Sequence, residues 1–271
     1  MSDLARYLER LGWPDGEAAI TPDLATLQAL HAAHMRIIPF ENSSVLFGEP
    51  IAIDEAALVR KLGVEARGGF CYELNGAFGA LLRALGYQVE PLEARVYADG
   101  VPGQHFEHLA LRVTLDQSWL VDVGFGYSFA EPLRLVPGVE QSDPMGAFRL
   151  VEVEDGWDLE WRHRDGRWVP HYRVDPAPKP LTAFAAMCAE LQTSSASPFT
   201  TGWLCSRLLD EGGVTLFGRQ LIVTENGRRD ERELTDDAAI SAELERWFGI
   251  RAQRVDGRWT PLDERDVAGK S

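Results

Sequence analysis

Cys71 follows two glycines in the run Arg67-Gly68-Gly69-Phe70-Cys71 and opens a stretch with helical periodicity. A thiol attacks as its thiolate. That anion is favoured at a helix N-terminus, where unsatisfied amides and the positive dipole end face it, and beside a histidine. The glycines would let backbone pass close to a ligand with no Cβ in the way. No glycine turn leads into a helix at Cys188 or Cys205, and both read as small apolar filler. On local sequence alone Cys71 is either another such filler or a nucleophile.

A nucleophilic thiol needs a base, and the base needs a third group to orient it. His108 opens the strand-like run His-Leu-Ala-Leu-Arg-Val, and Asp122 lies in the next such run, Trp-Leu-Val-Asp-Val-Gly-Phe-Gly. A hairpin turn between them makes the two strands neighbours and brings the start of one beside the end of the other. Asp122 sits among Leu120, Val121 and Val123, and a carboxylate buried there needs a partner, which His108 could supply. These residues allow a Cys-His-Asp arrangement without requiring it. The pairs His105/His108 and His31/His34 have metal-compatible spacing, but neither has an evident third ligand, so no metal site is assigned.

The elements that must hold these residues are helical first. Asp3 to Leu11 reads as a helix; Asp23 caps a second, with Leu24, Leu27, Leu30, His31 and His34 at helical spacing. Ile38-Pro39-Phe40 breaks it, and Asp54 starts a short helix over Glu55 to Leu62. Cys71 to Leu85 reads as an amphipathic helix with Leu74, Phe78, Leu81, Leu82 and Leu85 on one face. The period then becomes strand-like over 89–97, 108–115, 118–123, 148–154, 157–164 and 168–174, with hairpin turns at 115–118, 155–156 and 165–166. Such a run of antiparallel strands suggests a barrel or sandwich. After the proline-rich connector Pro176–Pro180 come a helix over 181–192, strands over 214–217 and 219–224, a turn at Glu225-Asn226-Gly227, and a helix from Asp237 to about Phe248.

Four segments resemble the arylamine N-acetyltransferases, in the order that family has them. Arg67-Gly68-Gly69-Phe70-Cys71-Tyr72-Glu73-Leu74-Asn75 is similar to its cysteine motif, and Val121-Asp122-Val123-Gly124-Phe125-Gly126 to its aspartate motif. Ile38-Pro39-Phe40-Glu41-Asn42 and Ser197-Pro198-Phe199-Thr200 also resemble family segments. The likeness runs from the second helix through Gly218, though Ala186–Gln192 is less polar than the family usually is there.

The resemblance implies an α+β fold: an N-terminal helical bundle (1–86), a central antiparallel β-barrel (87–180), an interdomain helix and connector (181–203) and a C-terminal α/β lid (204–271), around a cysteine-protease-like Cys-His-Asp core. It implies Cys71 as acetyl acceptor, His108 as base and Asp122 as its orienting partner. Ping-pong transfer from acetyl-CoA to an arylamine, arylhydrazine or arylhydroxylamine follows, with acetyl-CoA as co-substrate and no permanently bound cofactor. Phe40, Phe70, Val96 and Phe125 are assigned to the acceptor pocket, and Gly124 and Gly126 to the CoA side. Alternatives are a cysteine hydrolase or transglutaminase-like enzyme, an amide synthase acting on a specialised aromatic amine, and a non-catalytic binding protein. Glu73 and Asn75 are expected to tie down the first helical turn, and Arg67 to pair with a buried acid.

Composition narrows the partners. The chain has 271 residues and a net charge of −15, from 27 basic and 42 acidic residues, which opposes nucleic-acid binding. No apolar run approaches the roughly 18 residues that span a bilayer. The N-terminus lacks the basic start and apolar stretch of a signal peptide, so the chain is expected in the cytoplasm, as a monomer or homodimer. Three widely spaced cysteines suit a reducing compartment, and the sequon Asn42-Ser43-Ser44 is inert there.

Overall fold

A computed structural model describes residues 1–14, 20–163 and 165–262. Among the described residues five helices come first: α1 (Asp3–Arg10), α2 (Leu24–Ile37), α3 (Ser43–Phe47), α4 (Glu55–Gly63) and α5 (Cys71–Ala84). Asp23 and Asp54 cap α2 and α4 by accepting from Thr26 N–H and Ala57 N–H, both at 2.9 Å. The helix starts are therefore written locally. α5 departs from the amphipathic expectation. Every residue from Cys71 to Gly79 is buried, so its first turns are enclosed on all sides.

Nine antiparallel strands follow among the described residues: β1 (Gln88–Ala98), β2 (Val101–Pro102), β3 (His108–Thr114), β4 (Ser118–Val121), β5 (Leu133–Arg134), β6 (Gln141–Asp143), β7 (Gly146–Val153), β8 (Gly156–Arg162) and β9 (Trp168–Val174). They form one sheet in the order β5-β4-β3-β1-β9-β8-β7-β6, with β2 on β1. The expected strand end at Arg164 lies outside the described residues. The sheet curls nearly into a barrel, but no backbone ladder joins β5 to β6 among the described residues. Instead the Gln141 side-chain amide bridges the gap, its Oε1 accepting from Arg134 N–H at 2.7 Å and its Nε2 donating to Arg134 O at 3.0 Å. Leu92, Ala94, Ala110, Leu120, Leu150 and Tyr172 fill the interior.

Alternation along each strand decides what faces what. On β3, Leu109, Leu111 and Val113 join the helical core, whereas Ala110 points into the barrel. His108 shares the parity of Ala110 and so stands at the barrel mouth. On β1, Val96 continues the inward row of Leu92 and Ala94.

After a 3₁₀ turn (Leu181–Phe184) come α6 (Ala185–Thr193) and α7 (Pro198–Thr201), then β10 (Leu204–Leu209), β11 (Gly212–Phe217), β12 (Gln220–Glu225), β13 (Arg228–Glu233), α8 (Asp237–Phe248), β14 (Ala252–Val255) and β15 (Arg258–Pro261). β10 to β13 form a second antiparallel sheet. One face, including Cys205, Val214, Leu216 and Leu221, packs on Ile240, Leu244 and Phe248 of α8. β13 reads Arg-Arg-Asp-Glu-Arg-Glu and is exposed throughout, so no alternation marks it as a strand; pairing with β12 alone makes it one. Nor are α3, α7, β2, β5, β6, β10, β14 and β15 among the elements expected from the sequence. Among the described residues no helix is long and apolar enough to cross a membrane.

The segment Ile38–Asn42 stitches the helical part to the second sheet. Phe40 exchanges backbone hydrogen bonds with Ser206 (2.9 and 2.8 Å), and Glu41 N–H donates to Gly69 O at 2.8 Å. Asn42 Nδ2 donates to Phe199 O and Gly202 O at 2.8 Å, and its Oδ1 accepts from Leu204 N–H at 2.9 Å. The expected close passage at Gly68 and Gly69 is made by this segment and by α5, not by a ligand. A Cβ on Gly68 would lie 2.2 Å from Pro39 O, and one on Gly69 would lie 2.7 Å from the Glu73 side chain.

Asn42 is 2 % exposed, so Asn42→Ala leaves three backbone groups without partners and costs about 3 kcal/mol. Urea unfolding monitored by tryptophan fluorescence measures this. A loss below about 0.5 kcal/mol, the scale of an ordinary surface substitution, would show that the stitch is dispensable.

Candidate active site

Cys71 is the first residue of α5 and is 3 % exposed. Its sulfur lies 4.0 Å from Glu107 O. Glu73, two residues on, closes the helix start by accepting from Phe70 N–H at 3.1 Å and from Lys61 Nζ. Burial pushes the Glu73 carboxyl up, and Lys61 opposes this. Arg67 meets no buried acid: it pairs with half-exposed Glu49 at 2.6 Å and donates to the Ser43 and Ser44 hydroxyls. Lys61 takes the buried acid instead.

Asp122 lies just past the end of β4 with no exposure. Its Oδ2 accepts from His108 Nε2 at 2.8 Å, and its Oδ1 accepts from Asn75 Nδ2 at 2.8 Å and from Gly124 N–H at 2.9 Å. Burial drives this carboxyl up. The charge and hydrogen bond of His108, with the donors of Asn75 and Gly124, outweigh burial and hold it below the usual carboxylate range. Asn75, one turn into α5, also donates to Leu109 O at 2.6 Å and accepts from Val123 N–H at 3.0 Å. One amide thereby joins the cysteine's helix to both strands that carry the His-Asp pair.

His31 of α2 supports the same loop. It donates from Nδ1 to Ala130 O at 2.8 Å and accepts from Asp122 N–H on Nε2 at 3.3 Å, a pairing that requires the neutral ring. Burial lowers its pKa to about 4. Among the described residues no group of three or more His, Cys, Asp and Glu side chains is placed to hold a metal ion.

A cavity of about 350 Å³ opens between the start of α5, the barrel mouth and the free face of the second sheet. Cys71, His108, Phe40, Val96, Gly124 and Phe125 all line it. Leu204, Ser206 and Thr215 form its roof; they alternate with residues that face α8. Phe70 is fully buried behind the wall, edge-on to Phe199 at 5.3 Å, and Phe199 itself lines the cavity. Gly126, at φ +89°, does not line it; it packs under Ser206 and Phe40. A Cβ on Gly124 would lie 2.8 Å from Cys71 Cα, so only glycine lets the aspartate loop reach the cysteine. The His108 ring is held by Phe125 and Tyr172, with centroids 5.4 and 5.1 Å away. Cavity residues missed in the sequence include Glu107, Tyr127, Leu191, Leu204, Ser206 and Thr215. The even spacing of Leu204 and Ser206 was their one signal. A second cavity, of about 280 Å³, shares Tyr127 and Thr215 with the first and runs between the barrel and the second sheet past Trp161, Arg162 and Arg229.

The N-acetyltransferase family model matches residues 23–256. An arylamine N-acetyltransferase of Mycolicibacterium smegmatis is 36% identical, covering 94% of this chain and 94% of that protein. Proansamycin X synthase of Amycolatopsis mediterranei is 34% identical over 90% of this chain and 96% of its own. The structure of Mycobacterium marinum arylamine N-acetyltransferase in complex with CoA superposes with a TM-score of 0.84 at 33% identity, covering 91% and 92% of the two chains.

Because the folded state keeps His31 neutral while the unfolded chain protonates it below about pH 6.5, its contribution is complete above 6.5 and is lost as pH falls toward 4. His171, lowered to about 4 by burial, acts in the same direction. Unfolding free energy is expected to drop between pH 7 and 5 by about 2 kcal/mol for each of these rings. Equal stabilities at the two pH values, from urea unfolding, would contradict the neutral assignment.

Proposed function

The chain belongs to the arylamine N-acetyltransferase family, and on that premise we propose that it transfers acetyl from acetyl-CoA to an arylamine, arylhydrazine or arylhydroxylamine through a thioester on Cys71. The observation that carries this reading is one apolar cavity shared by Cys71 and by a histidine bonded at 2.8 Å to a buried carboxylate.

Burial pushes the Cys71 thiol up, with only the Leu109 and Tyr72 amides and nothing cationic opposing it. The resting thiol therefore keeps its proton until His108 takes it. With Nε2–H committed to Asp122, Nδ1 is the basic nitrogen. The imidazolium formed is held by Asp122, which is already ionised. The sulfur adds to the thioester carbonyl, and amides at the start of α5 stabilise the oxyanion. CoA leaves with the proton from His108. The acceptor amine then attacks the acetyl-cysteine, loses its proton to His108 and departs as the amide, restoring the thiol. An apolar enclosure keeps water from the thioester, and this separates transfer from the hydrolase alternative.

The second cavity supports the donor's placement. It shares Tyr127 and Thr215 with the catalytic cavity, and Arg162 and Arg229 on its walls suit phosphates, with Trp161 beside them. The likeness to proansamycin X synthase keeps a second reading in view, amide synthesis on a specialised aromatic amine. At about 350 Å³ the catalytic cavity matches a single aromatic ring with small substituents better than a macrocyclic precursor.

Intact mass after mixing protein with acetyl-CoA alone should show one added acetyl, absent in Cys71→Ala and discharged by aniline. An adduct that decays equally with and without amine would instead make the enzyme a hydrolase. Replacing Arg162 and Arg229 together by alanine should raise KM for acetyl-CoA about tenfold more than KM for 4-nitrophenyl acetate, a donor with no nucleotide, by loss of charge-assisted contacts. Equal effects on the two donors would remove the nucleotide from that groove.

A further inference from the structure

The residue immediately before the proposed base is itself charged. Glu107 lines the catalytic cavity beside Cys71, His108 and Val96. Its backbone already belongs to the site, since Glu107 O accepts from Tyr72 O–H at 3.2 Å and lies 4.0 Å from the Cys71 sulfur. Its carboxylate is placed unusually. Oε2 is buried and has no hydrogen-bond partner. It rests on Gly103, where an added Cβ would lie 2.0 Å from it. Gly103 is in turn pinned to Val96 O through its N–H at 2.8 Å. A glycine thus lets the side chain fold against the wall that Val96 contributes to the cavity.

No lysine or arginine lines this cavity among the described residues, and no other carboxylate does. Phe125, Phe199 and Leu204 also line it. An acceptor ring entering among those side chains has one carboxyl in the surrounding wall, that of Glu107, with its Oε2 buried in that wall. We infer that Glu107 sets the charge class of the acceptor: neutral and cationic aromatic amines are accepted, and aromatic amines bearing a carboxylate are disfavoured. This rests on the transfer reading above and narrows its substrate class. Burial drives the Glu107 carboxyl up from its ordinary range, and the Val96 and Gln104 amides with the charge of His108 offset this only in part. A cationic substituent supplies what is missing; an anionic one adds a second unsolvated charge of the same sign.

The test compares wild type with Glu107→Gln, which keeps the shape and removes the charge. Three para-substituted anilines serve as acceptors: 4-methylaniline, 4-aminobenzoate and (4-aminophenyl)trimethylammonium. Each is compared with itself across the two proteins, so differences in amine nucleophilicity cancel. Relative to 4-methylaniline, kcat/KM in Glu107→Gln should fall about tenfold for the cation and rise about tenfold for the carboxylate, the size expected for one partly solvated charge. Glu107→Asp should keep the wild-type sign of discrimination. The same factor on all three acceptors would mean that Glu107 only props the 103–107 loop, and would overturn the inference. If wild type acetylates none of the three, the transfer reading fails separately. Dissociation constants of the same amines, measured by calorimetry on unacetylated wild type and Glu107→Gln, then decide the charge preference without turnover.

Discussion

The architecture turns on one ionised carboxylate kept entirely out of water. Isolated burial of the Asp122 charge would cost several kcal/mol, and the fold offsets it with three donors from three places: His108 on β3, Asn75 on α5, and Gly124 N–H in Asp122's own loop. Each donor can arrive only if its element is correctly seated. The helical part, the barrel and the loop after β4 therefore meet at one point because the charge requires it. The same requirement orients the His108 ring, whose Nε2 is committed to Asp122.

Close approach is the second constraint, and glycine satisfies it. Gly124 lets the aspartate loop lie against Cys71, and Gly68 lets Pro39 pass the turn before α5. Both are short-range steric demands between chain segments. The glycines of the cysteine and aspartate motifs thus act first as packing devices, and the reactive geometry follows from the contacts they permit. Phe40 extends this logic by pairing with Ser206, so that the second sheet presents its Leu204-Ser206 row to the cavity while Cys205 faces α8. Period-two alternation lets six residues of β10 serve a core and the cavity at once.

Local chemistry made much of this legible in the amino-acid sequence. The helix starts at Asp23 and Asp54, the strands of the barrel and the candidate residues Cys71, His108 and Asp122 all follow from capping, periodicity and motif. Strand β13 did not, because six charged residues carry no alternation and only the ladder to β12 defines it. The all-round burial of α5 was also hidden, since Glu73 and Asn75 look solvent-facing until their partners Lys61 and Asp122 are in place. Arg67 was misassigned for the same reason: which acid meets which base is decided in space.

What the sequence determined by itself is the inventory and local form of the reactive groups: a thiol at a helix start, a histidine opening a strand, an aspartate among apolar residues two strand-lengths on. These are properties of short segments, set by backbone dihedrals and side-chain period. Only the tertiary structure decided that Asn75 couples the helix to both strands, that Phe70 stands behind the cavity wall while Phe199 forms it, and that Glu107 lines the same cavity as Cys71 and His108. Those facts depend on contacts between residues tens to more than a hundred positions apart. Packing and the need to satisfy buried charge select such contacts, and no local period encodes them.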